Sequence, residues 1–201
     1  MTFLLNDMQT LSPIGFQPFV APEIEIVDEG QCDIFARESL LDAAFGPARF
    51  DKTAQRLRDG RLPAPGLALA AKAAGALVGT LRLWPVDAGG VQALLLGPLA
   101  VAKTCRSRGI GRKLMAEGLF RAFAAGHKAI LLVGDAPYYE PFGFARRHTL
   151  GLALPGPVDE ARFLGLELET GALTNASGLV KAAGAFDFSA HRVETEFLYA
   201  A

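Results

Sequence analysis

Between residues 94 and 115 the chain reads LLLGPLAVAKTCRSRGIGRKLM: an apolar run, a basic glycine-rich stretch, then a new apolar period. Pro98 has no N–H to give to a sheet and Gly97 weakens a strand. The pair therefore predicts a β-bulge that breaks the hydrogen-bond ladder midway. Such a break leaves the N–H and C=O groups of Leu99, Ala100 and Val101 free to bond a ligand. Beyond them Arg106, Ser107, Arg108, Gly109, Ile110 and Gly111 lead straight into a helix. The first N–H groups of a helix lack internal partners, and the helix dipole makes that end positive. Gly109 and Gly111 carry no side chain to hold an anion away, and Arg106, Arg108 and Arg112 add charge. The predicted ligand is a phosphate or pyrophosphate.

Two other phosphate motifs fail on spacing. A dinucleotide fingerprint would use Gly109-Ile110-Gly111, with Asp135 as a ribose partner, but Leu114 occupies the third glycine's place. The loop also begins too far beyond Val101 for a tight first turn. A nucleotide-triphosphate loop needs Gly-Lys-Ser/Thr, whereas Arg112-Lys113 follow Gly111. The formal net charge is −1, yet Lys103, Arg106, Arg108, Arg112 and Lys113 crowd into one stretch and leave the remainder net acidic. A basic patch on an acidic protein suits a compact polyanion better than a long one. A nucleic-acid-binding module stays as an alternative, with strongly salt-dependent binding as its mark. A plain solvated turn is the blandest reading of the same residues.

The elements that must position this segment follow from periodicity. Residues 23–27 alternate as a half-exposed first strand. Asp33 caps a helix whose apolar stripe is Ile34, Phe35, Leu41, Ala44 and Phe45, stopped by Gly46-Pro47. A short charged helix spans 51–58. Runs at 67–72 and 77–84 form a hairpin about Ala74-Gly75. The apolar run at 91–101 suits a central strand covered on both faces. The helix at 110–125 turns Leu114, Met115, Gly118, Leu119, Ala122 and Phe123 to one side, and Gly126 ends it. A buried strand at 128–135 follows, so strand–helix–strand implies a parallel pair. PYYEPFGF allows a helical turn, and 150–154 and 161–169 read as strands. Residues 1–22 are an extension, with Phe16 and Phe19 able to drape over the domain. Residues 23–201 form one domain in which 170–201 carry a weak pattern. The class is α/β or α+β: a mixed sheet, one parallel crossover, flanking helices.

With 51% apolar and 20% charged residues the composition is globular. No apolar run approaches the ~20 residues that span a bilayer, and MTFLLNDMQTL lacks a basic leader. The expectation is a cytoplasmic, reducing setting and no membrane partner. Cys32 and Cys105 make no disulfide framework and are expected as buried small hydrophobes. His127, His148 and His191 have no metal-ligand spacing, so no metal is expected.

Leu99-Ala100-Val101 followed by Arg106-Ser107-Arg108-Gly109-Ile110-Gly111 resembles the acyl-CoA signature of the GNAT acetyltransferase superfamily, and Tyr139-Glu140-Pro141-Phe142-Gly143-Phe144 is similar to a second motif of that family. The resemblance covers most of the chain. It implies a mostly antiparallel central sheet with a splayed parallel strand pair. It implies acetyl-CoA as cosubstrate, its pyrophosphate on residues 106–111 and its pantetheine arm against Leu99 and Val101. It further implies transfer of the acetyl group to an amine, borne by a small molecule or a protein, with Tyr139 protonating the leaving thiolate. A thiol of pKa ~8.5 can take a proton from a tyrosine of ~10 at a penalty of about 2 kcal/mol. The amide of Leu99 would stabilise the oxyanion, and Tyr138 would be core or substrate wall. Asp135, Glu140 and His148 are all open as general base. The acceptor would lie against Arg37, Glu38, Phe45, Arg49 and Phe50. A non-catalytic acyl-CoA sensor shares the loop and differs at Tyr139. A homodimer is left open.

Overall fold

The computed structural model describes residues 22–188; the expectations for residues 1–21 and for His191 lie outside this range. The main sheet is built from β1 (Ile24–Asp28), β2 (Ala68–Ala73), β3 (Ala76–Ala88), β4 (Gln92–Val101), β5 (Ala129–Val133) and β7 (Phe163–Glu167), after a short β6 (Leu152–Ala153). Their spatial order is β1-β2-β3-β4-β5-β7. Every neighbour on this path is antiparallel except β4 and β5. An eighth strand, β8 (Gly178–Ala182), pairs with the far end of β3. The mixed sheet with one parallel pair on its main path and flanking helices is as the residue pattern predicts.

Alternation along β3 and β4 makes two cores. Leu81, Leu83, Leu94 and Leu96 face α2 (Ile110–Ala124), while Val86, Ala88 and Leu95 face away from it toward Leu131 and Phe163. Helix α2 buries Ile110, Leu114, Met115, Gly118 and Ala122. Each large side chain among these is worth roughly 1.5–3 kcal/mol of burial. A β-carbon on Gly118 would stand 2.9 Å from Leu81 Cδ2, so this glycine sets how closely α2 lies on β3. Phe123, expected on the buried face, is instead exposed.

Five further expectations change. In α1 (Ile34–Phe45) Leu41 of the predicted stripe is buried as expected and Ala44 half-buried, but Ile34, Phe35 and Phe45 are exposed, Phe35 to 83%, and Arg37 is buried beside Leu41. The reason is electrostatic: Arg37 is drawn inward by Glu29, which also pairs with Arg82 on β3. Asp33 does not cap the amides of α1 but accepts from the Gly30 N–H at 2.9 Å and pairs with Lys72. The predicted helix at 51–58 is two 3-10 turns, Pro47–Asp51 and Thr53–Leu57, separated by extended Lys52. The strand expected at 150–154 shrinks to β6, paired with β8, because Arg146–Thr149 winds into a 3-10 turn whose Thr149 hydroxyl donates to Phe163 O at 2.7 Å. Cys32 is exposed and Cys105 half-buried, not interior as expected. Among the described residues no helix is long and apolar enough to cross a membrane.

Candidate active site

The parallel strands touch only briefly. Leu94 and Leu95 pair with Ile130 and Leu131, and beyond them β4 and β5 part. On its other side β4 pairs Leu96 with Leu83 and Leu99 with Leu81, so three steps on β4 match two on β3. The extra residue is the bulge that Gly97-Pro98 predicts. Beyond it, Ala102 N donates to Val78 O at 2.8 Å. By antiparallel alternation Ala100 and Ala102 then direct their backbone groups to β3, while Leu99 and Val101 turn theirs into the gap. Ala100 thus borders the gap without offering it the backbone groups expected of it.

The gap opens into a cleft of about 630 Å³. Leu99, Ala100, Val101, Arg106, Gly111 and Tyr139 line it; Ser107, Arg108, Gly109 and Ile110 do not. Ile110 is core, 1% exposed, and anchors the start of α2 from below. Ser107 and Gly109 both adopt positive φ, +62° and +74°, which curls the loop around the helix start. Lys113 N then closes the first helical turn on Gly109 O at 3.0 Å. Arg106 lies back along the strand, its Nε donating to Val101 O at 3.3 Å.

Tyr139 ends the short helix α3 (Ala136–Tyr139). Its ring meets Tyr138 and Phe144 edge-on at 4.9 and 5.9 Å. Burial pushes its phenol up to about 12; Tyr138 and Asp135 add to this and Arg162 opposes it. Among the described residues no group hydrogen-bonds this hydroxyl. Tyr138, expected as core or wall, is 41% exposed and lines the same cleft, with its hydroxyl against the backbone of Gly111. Burial raises its pKa too, opposed by Arg112.

Of the three open candidates for a base, only Asp135 reaches the cleft, where it is exposed and pairs with Arg162 at 3.1 Å. Glu140 is exposed and does not line the cleft. His148 lies in a separate depression, 3.8 Å from Glu167.

Phe45 and Arg49, two of the residues expected to face the acceptor, border the cleft from the N-terminal side. Next to it is a smaller cavity of about 210 Å³, bordered by Arg37, Glu38, Arg49 and Phe50. Most of its charge is paired: Arg37 with Glu29 and Glu38, Arg49 with Glu38 and Asp42. The residue pattern missed Arg58, Thr80, Arg82 and Trp84, which share this cavity. The last three alternate along β3 as T-L-R-L-W, a period-two polar face that was visible in the sequence. Nothing in the run AQRLRDGR distinguishes Arg58 from Arg56, which is exposed and bonds Pro155 O.

A model of the acetyltransferase (GNAT) family matches residues 34–144. An uncharacterized N-acetyltransferase of Escherichia coli K12, YhbS, is 32% identical over 148 residues, which cover 72% of this chain and 87% of that protein. The crystal structure of Escherichia coli YhbS in complex with CoA matches with a TM-score of 0.68 at 30% identity, covering 84% of this chain and 93% of that one. A GNAT family acetyltransferase from Brucella melitensis in complex with acetyl-CoA matches with a TM-score of 0.61 at 28% identity, over 82% and 99%.

Proposed function

Because the chain belongs to the GNAT acetyltransferase family, we propose that it is an N-acetyltransferase passing the acetyl group of acetyl-CoA directly to an amine of a small molecule or a protein. The observation that carries this reading is the unpaired edge of β4, where Leu99 and Val101 turn their backbone groups into a widening gap. The residues present fit the cosubstrate. An amide-bearing arm such as pantetheine can lie there as an added strand. A pyrophosphate suits the free amides of a helix start that opens with two glycines. The relatives solved with CoA and with acetyl-CoA support the same ligand.

The chain's own groups then divide the work. The Leu99 amide stabilises the negative charge that builds on the acetyl oxygen. Tyr139 is protonated at neutral pH, as a proton donor must be. Burial, by raising its pKa to about 12, raises the cost of handing that proton to a thiolate of ~8.5 to about 5 kcal/mol. In the transfer, the acceptor nitrogen bonds the acetyl carbon and the C–S bond breaks. Sulfur takes the Tyr139 proton, and the surplus proton on nitrogen leaves to solvent, from which Tyr139 is restored.

Calorimetric titration with acetyl-CoA, followed by a free-thiol assay across a panel of amines, tests this. Binding together with amine-dependent thiol release is expected. Binding without release for any amine would leave a CoA-binding protein without turnover, and no binding would overturn the reading altogether.

A further inference from the structure

Resting on the reading above, we propose that the acceptor amine carries a carboxylate and that Arg58 is the residue that clasps it. Arg58 follows the 3-10 turn Thr53–Leu57 and lines both the cosubstrate cleft and the adjoining cavity. It therefore stands where an acceptor passes from one to the other. Its Nη1 donates to Gly97 O at 2.7 Å, on the bulge itself, and its Nε to Ala54 O at 3.2 Å. The guanidinium sits 5.3 Å from the centre of the Trp84 ring.

What separates Arg58 from Arg37, Arg49 and Arg82 is the lack of a carboxylate in contact: Asp59, on the rim of the same cavity, acts on it only from a distance. Arg37, Arg49 and Arg82 are matched by Glu29, Glu38 and Asp42. Among the described residues no carboxylate pairs with Arg58, although burial is deep enough to pull its pKa down to about 10. A half-buried charge held only by two carbonyls and a ring face is costly, and a guanidinium that keeps its charge in such a place suits an anion supplied from outside. Its planar fork matches a carboxylate in geometry as well as charge.

A second group in the same wall points to a ligand independently. Thr80 lines the smaller cavity, is 1% exposed, and its hydroxyl has no hydrogen-bond partner. Buried hydroxyls are normally satisfied. A polar ligand group would have to part the side chains over the Thr80 hydroxyl, which is sealed from solvent, before it could satisfy that oxygen while neutralising Arg58. The remaining surface is supplied by Trp84, Leu41 and Phe50, which suits a side chain of mixed character.

The experiment uses matched acceptors: the common α-amino acids, β-alanine and 4-aminobenzoate, each beside its own carboxamide. Wild-type protein saturated with acetyl-CoA is assayed for thiol release. The same compounds are titrated against protein saturated with CoA, so that binding is read without turnover. At least one free acid is expected to exceed its amide by about ten- to hundredfold in both measurements, the size of a lost charged hydrogen bond. Arg58→Gln is expected to erase that preference, the acid losing at least about tenfold more than its amide whatever both lose together. Amides bound and turned over as well as acids, or no response to any acid, would overturn the proposal. The wild-type comparison decides the matter even if Arg58→Gln does not fold. Failure of acetyl-CoA to bind at all would instead strike the parent reading, and the calorimetry above separates the two.

Discussion

The Tyr139 ring abuts Gly134 by its edge: a β-carbon at residue 134 would stand 2.2 Å from Cε2 of the tyrosine ring. No side chain fits in that space. The strand end at Val133 and the donor tyrosine are therefore packed as one unit, and the glycine fixes how deeply the phenol sits in the cleft. Gly134→Ala must push the ring out or move the strand. Overpacking of this kind costs about 1–3 kcal/mol. Turnover is expected to fall at least as far as in Tyr139→Phe, with acetyl-CoA affinity changed far less. A Gly134→Ala enzyme with wild-type turnover would show that the ring's position does not matter to the chemistry.

Tyr139→Phe removes the hydroxyl proposed as proton donor and leaves the aromatic contacts with Tyr138 and Phe144 in place. A general acid contributes on the order of 10²–10⁴, so kcat is expected to fall by at least tenfold. The pH dependence carries a sign. A donor works while protonated and fails as pH rises through its pKa. With that pKa raised from 10 to about 12 by burial, the alkaline loss moves beyond the ordinary range. Turnover should hold through pH 10, where an unperturbed phenol would be half ionised. A decline centred near pH 9, absent from Tyr139→Phe, would assign Tyr139 a pKa that its burial does not permit.

Glu29 ties α1 to the sheet. Its side chain is 2% exposed, accepts from Arg82 Nε at 2.8 Å, and pairs with Arg37 on α1. Removing the shared carboxylate leaves two guanidiniums facing each other. Breaking a buried ion pair from one side costs about 3–5 kcal/mol. Glu29→Gln is accordingly expected to lower the urea midpoint clearly. Adding Arg37→Met and Arg82→Met should recover part of the loss, since no stranded charge then remains. A loss under about 1 kcal/mol for Glu29→Gln would mean that both arginines reach solvent and that the clamp is not structural.

The gap in the sheet and the glycine loop beside it were legible in the sequence and the side chains of the adjoining cavity were not, for a physical reason. Gly97-Pro98 and the loop at 106–111 act through backbone geometry, and glycine and proline announce backbone geometry directly. The same holds for the helix stop at Gly46 and the hairpin at Ala74-Gly75. Arg58, Thr80 and the Glu29 clamp act through side chains that meet only after residues 29, 58 and 80 have been brought together by the sheet. In α1 the local signal was half right: of the stripe Ile34, Phe35, Leu41, Ala44 and Phe45, Leu41 turned inward, while Ile34, Phe35 and Phe45 lie exposed and Arg37 is held inward by Glu29. Strand β8 escaped notice because only Val180 of its five residues is buried, which leaves no period to read.

Arg106 distinguishes a nucleotide cleft from a general basic surface. Of the two arginines in the loop before the helix, Arg106 lines the cleft and Arg108 does not. Arg106 donates to Val101 O, so on binding it must exchange a carbonyl for a phosphate. A charge-assisted bond of this exposed kind is worth about 1–1.5 kcal/mol, or roughly tenfold in Kd. Arg106→Ala is expected to weaken acetyl-CoA by about that factor, and Arg108→Ala by much less. Because the contact is open to solvent, raising the salt from 0.05 to about 0.5 M should narrow the gap between wild type and Arg106→Ala. A nucleic-acid surface would respond otherwise, since duplex DNA would bind, both substitutions would weaken it alike, and acetyl-CoA would not displace it. Titrating acetyl-CoA into each variant at two salt concentrations, with and without duplex DNA, separates these outcomes. Equal losses at Arg106 and Arg108, without competition between the two ligands, would take the pyrophosphate away from this loop.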